Sequence, residues 1–128
     1  MMEHSLESQE ISRLCFDYAV VLGTADGTEL RIESQFQLSS SDGAQSVDVD
    51  PDRLDETRSI VVGLLRQQIM LASIEESGAI SLRFANGQRL QCEPDAQFEA
   101  WTLVTAAGER MVCLPGGGVA RWPGTGPP

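Results

Sequence analysis

The chain has 128 residues, 41% of them apolar, and a formal net charge of −10, with 19 acidic residues against nine arginines and no lysine. That length suits one hydrophobic core without disulfides or metal as staples, and a mean hydropathy of −0.13 with apolar runs as short as Ile69-Met-Leu-Ala72 argues against a membrane span. Scattered arginines supply no basic patch, so the composition excludes nucleic acid as a partner and suits steering toward a basic protein.

Residues 1–10 are polar and acidic, without the basic start and apolar stretch of a secretion signal, which predicts a cytoplasmic protein. Residues 11–16 read as a first strand running into residues 18–22, where Tyr18, Val20 and Leu22 share one face. Asp26-Gly27 then supplies the positive φ angles of a two-residue type I′ hairpin turn. The return strand alternates, with Leu30 and Ile32 inward and Glu29, Arg31 and Glu33 outward. Gln35-Phe36-Gln37, a turn at Ser41-Asp42-Gly43 and a strand over residues 45–49 complete this half.

Asp50 as cap, Pro51 at the first helical position, and Asp52, Asp55 and Glu56 in the field of the helix dipole predict a helix over residues 51–67. Its apolar stripe is Leu54, Thr57, Val61, Leu64 and Leu65. Residues 69–75 lose helical periodicity and read as a strand. Residues 79–93 then lie over residues 19–33 at an offset of sixty, with Asn86-Gly87 on Asp26-Gly27. Ile80, Leu82 and Phe84 point inward on one strand and Leu90 and Cys92 on the next, leaving Arg83, Arg89 and Gln91 to face water. The offset places Leu71 on Ile11 and Ile74 on Leu14. Gln97-Phe98-Glu99 parallels Gln35-Phe36-Gln37, and a turn at Ala106-Ala107-Gly108 leads to a strand over residues 110–114. After Leu114-Pro-Gly-Gly-Gly118 comes a short strand, residues 119–122, in which Trp122 anchors the end. Residues 123–128 form a flexible Gly/Pro tail.

These elements predict a single α+β domain over residues 1–122, built from two pseudo-repeated antiparallel β-meanders joined by and packed on one central amphipathic helix. The halves run over about residues 10–50 and 69–114, with about four or five strands each.

Chemistry-bearing constellations are few. Asp48-Val-Asp-Pro-Asp52 has the alternating acids of a calcium loop, but Arg53 stands where that loop needs glycine and Ser59 where it needs glutamate, so the acids read as helix capping. Gly116-Gly-Gly118 lacks the Lys-Ser or Lys-Thr and the helix of a phosphate loop. Cys15, Cys92 and Cys113 are widely spaced in apolar runs and read as reduced core thiols. With no CxxC pair and only His4 as an imidazole, no metal, cofactor or nucleophilic set is expected. Glu33 and Glu93 occupy equivalent places and are the one candidate pair for acid–base work, with exposed strand-end charges as the other reading. Phe98, Trp101 and Leu103 suggest a central strand packed on both faces, with Glu99 beside Trp101 as an element of a pocket or partner surface.

The ordered set Asp26-Gly27, Glu29-Leu-Arg-Ile-Glu33, Leu82-Arg-Phe-Ala-Asn-Gly87, Phe98-Glu-Ala-Trp101 and Leu114-Pro-Gly-Gly117 through Ala120-Arg-Trp122 resembles a family of small uncharacterised actinobacterial proteins catalogued as a domain of unknown function. The resemblance spans nearly the whole chain. It implies no enzyme, cofactor or catalytic residue.

The sequence therefore leads to a non-enzymatic acidic interaction module, immunity- or antitoxin-like toward a basic partner. Two alternatives stand beside it. One is a small-molecule site or modest enzyme between sheet and helix, walled by Phe84, Phe98, Trp101 and the Leu64-Leu65 face. The other is a homodimer formed through a sheet face or edge.

Overall fold

The computed structural model describes Glu3 and residues 5–124. His4 and residues 125–128 of the tail, which figure in the sequence reading, lie outside the described residues.

The chain is mostly β, with two antiparallel sheets and one short helix. Its strands are β1 (Ile11–Phe16), β2 (Val20–Thr24), β3 (Glu29–Ile32), β4 (Phe36–Ser39), β5 (Ser46–Val49), β6 (Ile69–Ile74), β7 (Ile80–Phe84), β8 (Arg89–Cys92), β9 (Trp101–Val104), β10 (Arg110–Cys113) and β11 (Val119–Trp122). One sheet has six strands in the order β1-β2-β3-β9-β10-β11, and the other has five in the order β5-β4-β8-β7-β6. Each half of the chain thus starts as a three-stranded meander in one sheet and then crosses to the other. The β3–β9 and β4–β8 pairings stitch the halves together.

Period-two alternation fixes which side chains are buried. Leu30 and Ile32 on β3, Ile80, Leu82 and Phe84 on β7, and Leu90 and Cys92 on β8 all enter one core cluster that draws on both sheets. Trp101 on β9 is fully buried there, and its indole N–H donates to the Gly78 carbonyl at 2.8 Å, across to the β6–β7 turn of the other sheet.

The predicted helix over residues 51–67 is not what forms. A 3₁₀ turn at Asp55–Thr57 leads into α1 (Arg58–Val62), a helix of five residues. Asp50 caps a turn instead of a helix, its carboxylate accepting the Asp52 N–H at 3.0 Å. Beyond α1, Gly63 and the left-handed Arg66 (φ 75°) end the helical run, and the Arg66 N–H donates to the Ile11 carbonyl of β1 at 2.7 Å. Leu54, Val61 and Leu64 of the stripe are buried, but Leu65 is exposed. A segment this short cannot roof a sheet, so the two sheets cover each other.

Reciprocal bonds join the starts of β1 and β6. The Ile11 N–H donates to Gln67 at 2.9 Å and the Ile69 N–H to Gln9 at 2.8 Å. Ser8 and Arg66, both left-handed, donate to Ile69 and Ile11, each at 2.7 Å. Ile11 and Ile69 therefore stand in like positions about these bonds, and the turn after β6 is longer than the one after β1. Both strands also carry an irregularity at the same place, between Ile11 and Arg13 and between Ile69 and Leu71.

The matched hairpin bends differ from the expected type I′ form. Only the glycines have positive φ, Gly27 at 94° and Gly87 at 89°. The Thr24 N–H bonds the Thr28 carbonyl and the Phe84 N–H the Gln88 carbonyl, each at 2.9 Å, so both are three-residue loops closed by a glycine bulge. Asp26 accepts the Thr24 hydroxyl at 2.6 Å and the Thr28 N–H at 3.0 Å, and these bonds hold its carboxyl below the usual 3.8.

Two outcomes follow from this core. Gly27→Ala should cost about 1 kcal/mol through its left-handed backbone, and Gly87→Ala more, because its Cβ would sit 2.6 Å from the Ser41 Cβ; denaturant unfolding of both variants measures the difference. Trp101→Phe should cost about 1–3 kcal/mol for the orphaned Gly78 carbonyl, beyond what the smaller ring loses. A Trp101→Phe variant as stable as the parent would show that this cross-sheet bond contributes nothing.

Candidate functional site

Beside the two crossings between sheets, β3–β4 and β8–β9, the β1–β2, β5–α1 and β10–β11 connections reach the same open cleft of about 740 Å³. Its carboxylates are Glu33, Asp50, Asp52, Asp95 and Glu99, and no arginine lines it. Tyr18 and Phe98 present aromatic surface at 82% and 70% exposure, high for rings of that size. Tyr18 stands out because its backbone is left-handed (φ 50°) in the tight β1–β2 turn, where the Asp17 N–H bonds the Ala19 carbonyl at 3.0 Å. It therefore does not share the inward face of Val20 and Leu22.

Asp95 fixes the loop that carries Phe98. Its carboxylate accepts the N–H groups of Gln97 and Phe98 at 2.8 and 2.9 Å, and its carbonyl accepts the Gly116 N–H at 2.7 Å. The Gly117 and Gly118 N–H groups are likewise spent, on the Leu114 and Ser77 carbonyls at 3.0 and 2.7 Å. Gly116–118 is thus a brace and not an anion cradle.

The sequence-predicted site residues divide. Glu33, Phe98 and Glu99 meet in the cleft. Glu93 lines a neighbouring hollow of about 450 Å³ with Asp48 and Gln91, and its carboxylate accepts the Gln91 amide at 2.8 Å. Glu33 faces Arg31 at 3.8 Å. Phe84 and Trp101 are buried in the core with Leu64, whereas Phe98 is exposed on the cleft. Phe98 precedes β9 instead of lying on it, and Trp101, opposite Ile32, opens that strand. The sequence reading missed Tyr18, Asp50, Asp52 and Asp95 as cleft residues. Their one common signal is that each sits in a connection between strands.

Beneath the cleft the Cys92 thiol lies in the core. Burial pushes it up to about 12, with Cys113, Glu93 and Asp95 adding to the rise. Burial also raises Cys113, whereas Cys15 is exposed. Among the described residues no group of three or more His, Cys, Asp or Glu is arranged to hold a metal ion.

Two antiparallel sheets about a common core, with an acidic cleft and projecting aromatic rings at their crossover, define the class of molecule. The chain belongs to a family of unknown function, DUF6188, whose model matches residues 2–123. No curated protein and no solved structure matches the chain.

Thiol chemistry checks the core placement. In the native protein Cys15 should react with a thiol reagent at pH 8 while Cys92 and Cys113 stay protected, and all three should react in denaturant. Because the folded state keeps the Cys92 proton that the unfolded chain releases near its ordinary 9.0, this group's contribution to stability is complete below that value. It declines as pH rises toward 12. Rapid native labelling of Cys92 would contradict the burial.

Proposed function

We propose that this protein is a non-enzymatic interaction module that receives a basic partner protein in the acidic cleft, as an immunity protein or antitoxin receives a cationic toxin. The observation that carries this reading is the pairing of five carboxylates with two projecting aromatic rings in one arginine-free cleft. Guanidinium groups suit both surfaces, since carboxylates accept their paired N–H donors and aromatic faces attract the delocalised cation. The net charge of −10 adds long-range steering toward such a partner. The cleft also supports docking over catalysis, because its acids line an open surface and, among the described residues, no cysteine or imidazole stands beside Ser34 or Tyr18 to activate a hydroxyl there.

A cytoplasmic setting accords with this role. The reading extends to origin. The reciprocal bonds at Ile11 and Ile69, and the crossing of each half from one sheet to the other, support descent from one duplicated unit whose two copies exchange strands.

A fluorescent oligo-arginine peptide serves as probe. It should bind saturably at low salt and weaken steeply as salt rises. Asp52→Asn with Glu99→Gln should weaken it by about tenfold, and Phe98→Ala by a similar factor. Binding indifferent to salt and to all three substitutions would defeat the proposal.

A further inference from the structure

The outer face of each sheet carries one row of side chains at equivalent places, and the two rows resolve their charge differently. In the six-stranded sheet the row runs Arg13, Gly23, Glu29 and Val104. Arg13 lies across Gly23, where an added Cβ would meet the guanidinium at 3.0 Å, and pairs with Glu29. That row is neutral within itself. In the five-stranded sheet the row runs Leu71, Arg83, Arg89 and Ser39. Here two arginines stand directly opposite each other on β7 and β8, and neither has a carboxylate, carbonyl or ring partner among the described residues.

Like charges in register across strands repel. A chain with 19 acidic residues nevertheless leaves this pair unmatched. The nearest acids on the same face are engaged elsewhere, Asp48 by the Gln37 amide at 3.1 Å and Glu93 by Gln91 at 2.8 Å. The arginines line a shallow hollow of about 250 Å³ with Leu71, Ser73, Ser81 and Leu82. A second hollow, of about 350 Å³, adjoins it and adds Met70, half-exposed beside Leu71. No carboxylate lines either one.

We propose that Arg83 and Arg89 form a binding site for a small organic phosphate monoester, the phosphate bridging the two guanidiniums and the organic part lying on Leu71 and Met70. A dianion neutralises both charges, its oxygens accept paired N–H donors from each fork, and the Ser73 and Ser81 hydroxyls are neutral donors in reach of the same hollow. A carboxylate would leave one positive charge unmatched. The overall charge of −10 selects for a small ligand, since polyanions and anionic membranes are repelled by the rest of the surface. This site uses residues and a ligand charge unlike those of the acidic cleft, so either can fail without the other.

The test is titration of the full chain with phenyl phosphate at low salt, followed by calorimetry and by amide chemical shifts. Saturable binding is expected, with shifts centred on β7, β8 and Ser73, strengthening as pH rises through the second ionisation of the ligand near ~6. Benzoate should bind about tenfold more weakly than phenyl phosphate. Arg83→Gln should weaken phenyl phosphate by at least about tenfold. Arg89→Glu should abolish binding while leaving the melting temperature equal or higher, because it recreates the neutral row of the sister sheet. Arg13→Gln should leave binding unchanged. The proposal is overturned by an absence of saturable binding, by binding that survives both Arg83→Gln and Arg89→Glu, or by binding confined to phosphatidic acid vesicles.

Discussion

The mutual cover of the two sheets is the constraint on which the rest of this structure depends. Each sheet buries one face, and with α1 reduced to five residues the only surface large enough to meet that face is the other sheet. The chain enforces this by sending each half into both sheets, so that β3 pairs with β9 and β4 with β8. Neither half can finish a sheet alone. The Trp101 indole then reaches across the core to the Gly78 carbonyl, adding a directional bond to an interface otherwise held by shape and dispersion. Such long-range pairings cost loop entropy before they return contacts, and the tight hairpins within each half keep the loops to be closed short.

Exchange of strands also decides where function can sit. Every crossover is a connection that must leave one sheet and enter the other, and these connections gather at one end of the molecule. The β3–β4 and β8–β9 crossovers bring Glu33, Asp95 and Glu99 into one cleft, and the β5–β6 connection, which stays within the five-stranded sheet, adds Asp50 and Asp52. Rigid strands hold the connections' ends, and Asp95 locks its own loop through two backbone N–H groups and the Gly116 brace. The exposed aromatic rings of Tyr18 and Phe98 are consequences of local geometry, a left-handed turn in one case and a pinned loop in the other. An apolar ring held in water by a fixed backbone is surface prepared for contact.

The alternation of Leu30, Ile32, Leu82, Phe84 and Leu90 was readable because a strand with one wet face imposes period two on the residues themselves. The helix was over-read for a related reason. The stripe at Leu54, Val61 and Leu64 has helical spacing and is buried, but periodicity does not register that Arg66 must turn left-handed to reach the edge of β1. The Asp-Gly and Asn-Gly bends were placed at the right positions and given one residue too few, since the same dipeptides serve two-residue and three-residue loops. Phe98 and Phe36 have similar neighbours in sequence, but Phe36 opens β4 whereas Phe98 lies in the loop before β9. Of the cleft, Glu33, Phe98 and Glu99 were legible as chemistry-bearing residues. Tyr18, Asp50, Asp52 and Asp95 were not, because convergence of loops leaves no spacing in the chain.

Charge is placed differently on the two sheets. Acidity that served only solubility would leave acids interspersed with arginines, as on the six-stranded sheet, where Arg13 meets Glu29 and Arg31 lies between Asp17 and Glu33. The other sheet departs from that arrangement along a single strand. On β8 and just beyond it, Arg89, Gln91 and Glu93 follow one another on one face, and the Gln91 amide donates to the Glu93 carboxylate at 2.8 Å. Gln37 does the same for Asp48 one strand over. Neutral amides thus lie between an acid-rich end and a basic hollow on the same sheet. Such separation forgoes ion pairs worth a few tenths of a kcal/mol each at an exposed surface. That loss is small enough for a fold to bear, and it leaves two poles of opposite sign facing solvent.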